Sequence, residues 1–433
     1  MRARFSMSRV AVAVLALSLV LPGAALATNG YFMHGIGAKS KALAGAGVAF
    51  PQDALAAANN PAGMAFVGKR FDAGLAIFNP NREYTVNGAP TGFPGTFGLI
   101  PEEVESDSNY FPVPNFGANW ELANGSTFGL SVYGQGGMNT DWPTMTFHDP
   151  SSSSTGVNLS QLFIVPTYAK AFGDGKHAIG ISPIIAYQQF EAEGIASFGG
   201  FSSNLSKLSG NGTDDGTGLG FKVGYLGKFS DTVSFGLSYQ SEVGMDEFGK
   251  YAGLFAEQGG FDIPSSWTTG FAFNVGENGV LLLDYQEIMY SDVASVSNPF
   301  ANLFNVFAPV PDPSFSLGGA QGPGFGWQDM EVIKVGYQWG SGDWVWRVGA
   351  STTDQPIPPS EVLFNILAPG VMEEHYTFGF TKTMASGNEL NFSLMHAPSV
   401  SVSGPNPLEA PGAQTIDLEM DQLDIEIGYS WGF

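Results

Sequence analysis

The 433-residue chain contains no cysteine, which excludes disulfides and cysteine-ligated metals or clusters. Charge is scarce: Asp, Glu, Lys and Arg make up 13% of the residues, beside 35 phenylalanines and 58 glycines. That is aromatic and weakly charged for a soluble protein of this size. Positive charge is scarcest, with 17 Lys and Arg against 40 Asp and Glu and a net charge of -23, so there is no basic footprint for nucleic acid. The five histidines (His34, His148, His177, His375, His396) form no i,i+4 or H-E-x-x-H pair, and no G-x-S-x-G elbow is present. These absences point to no metal, no cofactor and no catalytic residue. Beyond the N-terminus, no apolar run is long enough for a membrane-spanning helix of about 20 residues.

The N-terminus carries an export address. Arg2, Arg4 and Arg9 precede the apolar run Val10 to Leu21, and Ala25-Leu26-Ala27 closes it as an A-x-A site. Residues 1–27 are therefore expected to be a signal peptide. Cleavage after Ala27 removes three arginines and takes the formal charge from -23 to -26.

What the chain has in abundance is period-two alternation. Its last stretch, LDIEIGYSWGF, places Leu423, Ile425, Ile427, Tyr429, Trp431 and Phe433 on one parity and Asp424, Glu426, Gly428, Ser430 and Gly432 on the other. The same pattern recurs at Leu219–Tyr225, Val233–Gln240, Ile333–Trp339 and Trp344–Val348. Where these runs carry Lys222, Lys334 or Arg347, the cation falls on the non-apolar parity. On a lipid face at mid-bilayer such a charge costs about 2–4 kcal/mol.

Short turns such as Asn124-Gly125, Gly173-Asp174-Gly175 and Ser386-Gly387-Asn388 alternate with long Pro-, Gly- and Ser-rich stretches, near 87–109, 143–157, 196–215, 250–264, 294–325, 358–374 and 404–416. Six short turns and seven long loops predict fourteen strands with both chain ends on the short-turn side. The expected fold is all-β: a 14-stranded antiparallel transmembrane β-barrel over residues 70–433, in the outer membrane with its long loops extracellular. Trp339, Trp344, Trp346, Tyr429 and Trp431 fit an interfacial aromatic girdle.

Residues 28–69 lack strand alternation and are rich in Ala and Gly, with Asp53 a candidate cap for a short helix through Ala58. The segment either hangs free in the periplasm or folds inside the lumen as a plug, and its Ala, Leu, Met and Phe content favours packed structure over a disordered tail. The stretch NGYFMHGIGAKSKALAGAG, the motif Asn60-Pro61-Ala62 and the third-strand run YGQGGMNTDW from Tyr133 to Trp142 resemble the FadL-type outer-membrane transporters of long-chain fatty acids and hydrocarbons. The resemblance extends over essentially the whole mature chain.

It implies a monomeric barrel whose residues 28–69 form a plug in the lumen. A hydrophobic small molecule is captured by the outer loops, passes to a pocket beside the start of the plug, and leaves sideways into outer-membrane lipid after the plug rearranges. Such a route bypasses the lipopolysaccharide leaflet. Tyr31, Phe32, Met33 and His34 are then the ligand-binding candidates, since aromatic and thioether groups suit apolar ligands. Asn60, Pro61 and Ala62 hold the plug's fold. Gly134, Gly136 and Gly137 mark a kink in the third strand that opens the wall. Phe300, Phe304, Phe307 and Phe315 are candidates for the outer capture groove. Tyr429, Trp431 and the terminal Phe433 resemble the signal read by the barrel-assembly machinery.

A general porin needs a polar constriction and no apolar hatch, and an energy-coupled chelate transporter carries a much larger plug domain. N-terminal sequencing of the mature protein is expected to start at Thr28; an intact Met1 would contradict the export signal.

Overall fold

The computed structural model describes residues 29–307 and 312–432. The expected signal peptide, Thr28 and Phe433 lie outside them, as does the side chain of Phe307. Fourteen long strands follow the alternating segments: β1 (Arg70–Asn87), β2 (Phe111–Glu121), β3 (Ser126–Trp142), β4 (Thr155–Phe172), β5 (His177–Glu193), β6 (Asp214–Lys228) and β7 (Val233–Gln240). The second half comprises β8 (Ser266–Val275), β9 (Gly279–Ile288), β10 (Met330–Ser341), β11 (Trp344–Thr352), β12 (Glu374–Thr383), β13 (Glu389–Pro405) and β14 (Thr415–Gly432). Each pairs antiparallel with its chain neighbours, and β14 returns to β1 in unbroken register from Arg70 opposite Gly432 to Asn87 opposite Thr415. The sheet closes into a barrel through the β14–β1 pairing, as a sheet in hydrocarbon must. Two short strands, Glu103–Glu105 and Gly244–Met245, extend it within the long loops.

Parity sorts the side chains as expected. On β14, Leu423, Ile425 and Ile427 are exposed on the outer face, while Asp424, Glu426 and Ser430 are buried in the lumen. Lys222, Lys334 and Arg347 are also buried inside. Exposed Leu75, Ile77, Ile181, Leu283 and Phe378 continue the outer apolar band, far more than a water-facing surface carries. At the short-turn end Tyr429 packs on Trp431 (ring centroids 4.6 Å), Trp431 on Phe71 (5.2 Å) and Trp344 on Trp346 (5.4 Å), giving the aromatic girdle.

The segment from Asn29 to Lys69 sits within this wall. It contains one short helix, α1 (Ala38–Lys41), and the 3-10 turns Ala56–Ala58 and Pro61–Ala65. Asp53 does not cap a helix as expected: Leu55 directly precedes the 3-10 turn Ala56–Ala58, which has no side-chain cap, and the Asp53 carboxylate instead accepts the Leu55 N–H at 3.0 Å in the turn ahead of it. Ion pairs and hydrogen bonds fasten the segment on several sides. Lys41 lies 2.9 Å from Asp424 and 3.1 Å from Glu426, and Lys39 lies 2.7 Å from Glu389, which Arg70 also reaches at 3.0 Å. On the other side the Gly47 and Val48 N–H groups donate to Asp284 at 2.7 and 2.9 Å, and Arg347 donates to Gln52.

Lys41 and its two carboxylates are almost fully buried. Removing one member leaves uncompensated charge in a low-dielectric site. Lys41→Met is expected to destabilise the folded protein by about 3–5 kcal/mol, measured by denaturant unfolding followed through tryptophan fluorescence. Adding Asp424→Asn and Glu426→Gln is expected to restore much of that loss.

Candidate functional site

Strand pairing lapses between β2 and β3. Their ladder runs from Glu121 opposite Thr127 to Asn115 opposite Tyr133 and stops there. Phe111–Pro114 of β2 still pair with β1, but Gly134–Trp142 of β3 have no β2 partner. The lapse lies level with Leu75 and Ile77, within the outer apolar band. Pro112 and Pro114, which have no N–H to donate, fall on the stretch of β2 that lacks a β3 partner. FPVPN was therefore a readable sign of an open edge.

On β3 the register against β4 shifts between Gly134 and Gly136, so Gln135 is the extra residue of a bulge. Alternation of burial is lost here: every residue from Ser131 to Met138 is buried. The bulge falls within the run of glycines at Gly134, Gly136 and Gly137.

The start of the plug fills the place that β2 leaves. Met33 N–H donates to the Gln135 carbonyl at 3.1 Å, and Gly137 N–H donates to the Tyr31 carbonyl at 3.2 Å. Phe32 and Gly136 form an antiparallel bridge between these bonds. Gly136 permits the approach, since a Cβ there would lie 2.1 Å from the Tyr31 carbonyl oxygen. The structure thus joins Tyr31, Phe32 and Met33 to the glycine-flanked bulge.

His34 faces elsewhere. Its ring stacks on His375 at 5.8 Å, and burial, with Lys41, His375 and Lys334 nearby, holds its pKa well below the usual histidine value. Asn60, Pro61 and Ala62 sit against β5 and β6. The Asn60 amide donates to the carbonyls of Val48 (2.8 Å) and Tyr225 (2.9 Å), while its oxygen caps Pro61–Ala65 through the Ala62 N–H. A Cβ at Gly224 or Gly180 would collide with Asn60 or Pro61.

Two residues that the sequence reading did not single out hold the plug's first residues. The Tyr290 hydroxyl accepts the Tyr31 N–H at 3.1 Å and donates to the Asn29 carbonyl at 2.6 Å. Trp327 packs on both tyrosines, with centroids 5.9 Å from Tyr31 and 5.1 Å from Tyr290. Both come from the 289–329 loop, whose aromatic residues have no strand period to announce them.

Above lies an apolar cavity of about 40 Å³ under the long loops, lined by Phe190, Phe198, Phe255, Phe325, Phe364 and other apolar groups. Ser295 is its one polar lining side chain and no charged residue lines it. Phe300, Phe304 and Phe315 are not among its walls; Phe300 is buried against Phe364, and Phe304 is exposed. Aromatic contacts lead down from the cavity: Phe255 to Phe261 (4.8 Å) and Phe261 to Tyr31 (6.1 Å), then Tyr31 to Phe32 (5.5 Å) at the kink.

Residues 14–361 match the family model described as outer membrane protein transport protein (OMPP1/FadL/TodX). No curated protein matches the chain significantly. Among solved structures, the Pseudomonas putida toluene transporter TodX superposes with a TM-score of 0.66 at 17% identity, over 94% of this chain and 100% of that one. A Pseudomonas aeruginosa FadL homologue gives 0.66 at 16% identity, over 93% and 99%. The Ralstonia pickettii toluene transporter TbuX gives 0.62 at 15% identity, over 92% and 99%. At these identities the likeness is one of fold.

The Tyr290 hydroxyl is the testable fastener. Tyr290→Phe leaves the buried Tyr31 N–H unpaired, a penalty of about 1–3 kcal/mol. Hydrogen exchange at Tyr31 is expected to accelerate roughly tenfold or more, with the strand amides unchanged.

Proposed function

The chain belongs to this family of outer-membrane transport proteins, and we propose that it carries hydrophobic molecules passively from the cell exterior into the outer membrane, with side release through the lapse between β2 and β3. The observation that carries the reading is the seating of Tyr31–Met33 on the bulged strand, where the wall has no other partner for it.

The ligand enters the cavity under the loops first. At about 40 Å³ it is smaller than the roughly 150 Å³ cavity that admits benzene, so the loops shift to receive even one aromatic ring. The contacts from Phe255 through Phe261 to Tyr31 then offer apolar surface down to the plug's first residues. When these residues leave Gln135 and Gly137, the lapse opens at the level of the lipid-facing band. A ligand crossing there never enters the aqueous periplasm, which suits a molecule that partitions poorly into water.

The rest of the plug stays in place. Lys39, Lys41, Gly47, Val48 and Asn60 are tied to the wall by ion pairs and hydrogen bonds, so movement falls on the residues ahead of α1. The uncharged cavity favours neutral hydrocarbons over long-chain fatty acids, whose carboxylate finds no cation among its lining residues.

Initial uptake of labelled toluene and labelled oleate by cells lacking their own transporter tests this. Toluene is expected to enter several-fold faster with the protein present, and Phe261→Asp is expected to abolish the gain by placing a charge on the route. Oleate uptake without toluene uptake would overturn the neutral-ligand assignment. No gain with either would overturn the transport reading.

A further inference from the structure

Arg82 projects from β1 into the lumen and is 5% exposed. It stands above the lapse, where β1 has passed its last β2 partner, Phe78 opposite Phe111. The segment after Glu103–Glu105 crosses this space: Ser106 N–H donates to the Arg82 carbonyl at 2.9 Å, and Asp107 N–H donates to the Asp141 carbonyl at 2.8 Å. The Arg82 guanidinium donates to the carbonyl of Asn139 on β3 and to that of Ser108 on the crossing segment. It also lies over the Phe111 ring at the tip of β2, 5.6 Å from the centroid. One side chain therefore joins β1, β2, β3 and the crossing segment.

It also separates two spaces. An inner cavity is lined by Phe78, Gly137, Trp327 and Gly370, and an outer groove of about 270 Å³ by Glu83, Glu105, Asn109, Glu419 and Asp421. Arg82 and Met420 line both. The charges across this partition are mismatched. Among the described residues, Arg82 has no carboxylate within 4.0 Å and its Nε has no partner, while the four groove carboxylates have no cation within that distance. A buried guanidinium without a counter-ion is unfavourable, and carboxylates bordering one groove repel one another.

We propose that Arg82 is the latch of a side passage between the lumen and this outer groove. It is shut when the guanidinium bridges Asn139 and Ser108, and open when the side chain turns outward onto the groove carboxylates. Two alternative sets of partners make the element bistable. Only the use of the passage by transported ligand rests on the uptake reading above; the latch itself does not.

The absence of native cysteine gives a clean test. Met420→Cys places a thiol at the partition, and its reaction rate with a water-soluble maleimide is read on the purified full-length barrel. With Arg82→Gln, which removes the charge and the planar fork, labelling is expected to rise about tenfold or more, the change that accompanies a tenfold shift in the open population. Arg82→Lys keeps the charge but cannot span both carbonyls, and is expected to fall between. Heat-sensitive gel mobility checks that each variant is folded. If Arg82→Gln does not fold, Glu105→Gln with Glu419→Gln provides the second test: removing the outward partners is expected to slow labelling with Arg82 intact. Rates unchanged in a folded Arg82→Gln variant, or unchanged after loss of both carboxylates, would overturn the latch. No transported ligand is needed, so failure of the uptake reading leaves this result untouched.

Discussion

A backbone N–H or C=O left unpaired in hydrocarbon costs several kcal/mol, and the architecture answers to that constraint. Fourteen strands close on themselves through the pairing of β1 with β14. Between β2 and β3 the ladder stops short. There the first residues of the plug supply the missing partner, with Met33 and Tyr31 bonded to Gln135 and Gly137 as a short surrogate strand. A strand that belongs to the wall cannot leave without unmaking the barrel; a surrogate of three residues can. The same bonds that satisfy the wall are the ones the proposed side release has to break.

The lumen divides the plug into a fixed body and a first part free of ion pairs to the wall among the described residues. Cations on the plug meet acids on β13 and β14, and its N–H groups meet Asp284 on β9. Ahead of α1 the attachments include backbone bonds to the bulge, the Tyr290 hydroxyl, aromatic packing and a long hydrogen bond from the Lys334 ammonium to the His34 carbonyl (3.4 Å). Individual neutral hydrogen bonds contribute about 0.5–1.5 kcal/mol net, whereas breaking a buried ion pair costs about 3–5 kcal/mol. On the proposed route, this difference assigns the movement to the residues ahead of α1.

Much of the wall was legible because strand alternation is local. LDIEIGYSWGF declares its two faces without reference to any other segment, and the inward placement of Lys222, Lys334 and Arg347 follows from the same parity. The plug's attachments were not legible. Lys41 meets Asp424 across 383 residues of sequence, through a register set by barrel closure. Tyr290 and Trp327 lie in a loop with no period. The kink was signalled by Gly134, Gly136 and Gly137, and the open edge beside it by Pro112 and Pro114, a sign visible only once β2 is known to border the glycines.

The most direct measurement locks the surrogate strand in place. Met33 and Gln135 stand opposite each other beside the Phe32–Gly136 bridge, a placement whose Cβ separation of about 4.5–5.5 Å is close to what a disulfide spans. In this cysteine-free chain, Met33→Cys with Gln135→Cys forms the lock on oxidation. Uptake of labelled toluene should fall to the level of cells without the protein when the pair is oxidised, and return on reduction. Equal uptake in the oxidised and reduced states would contradict release through the β2–β3 lapse.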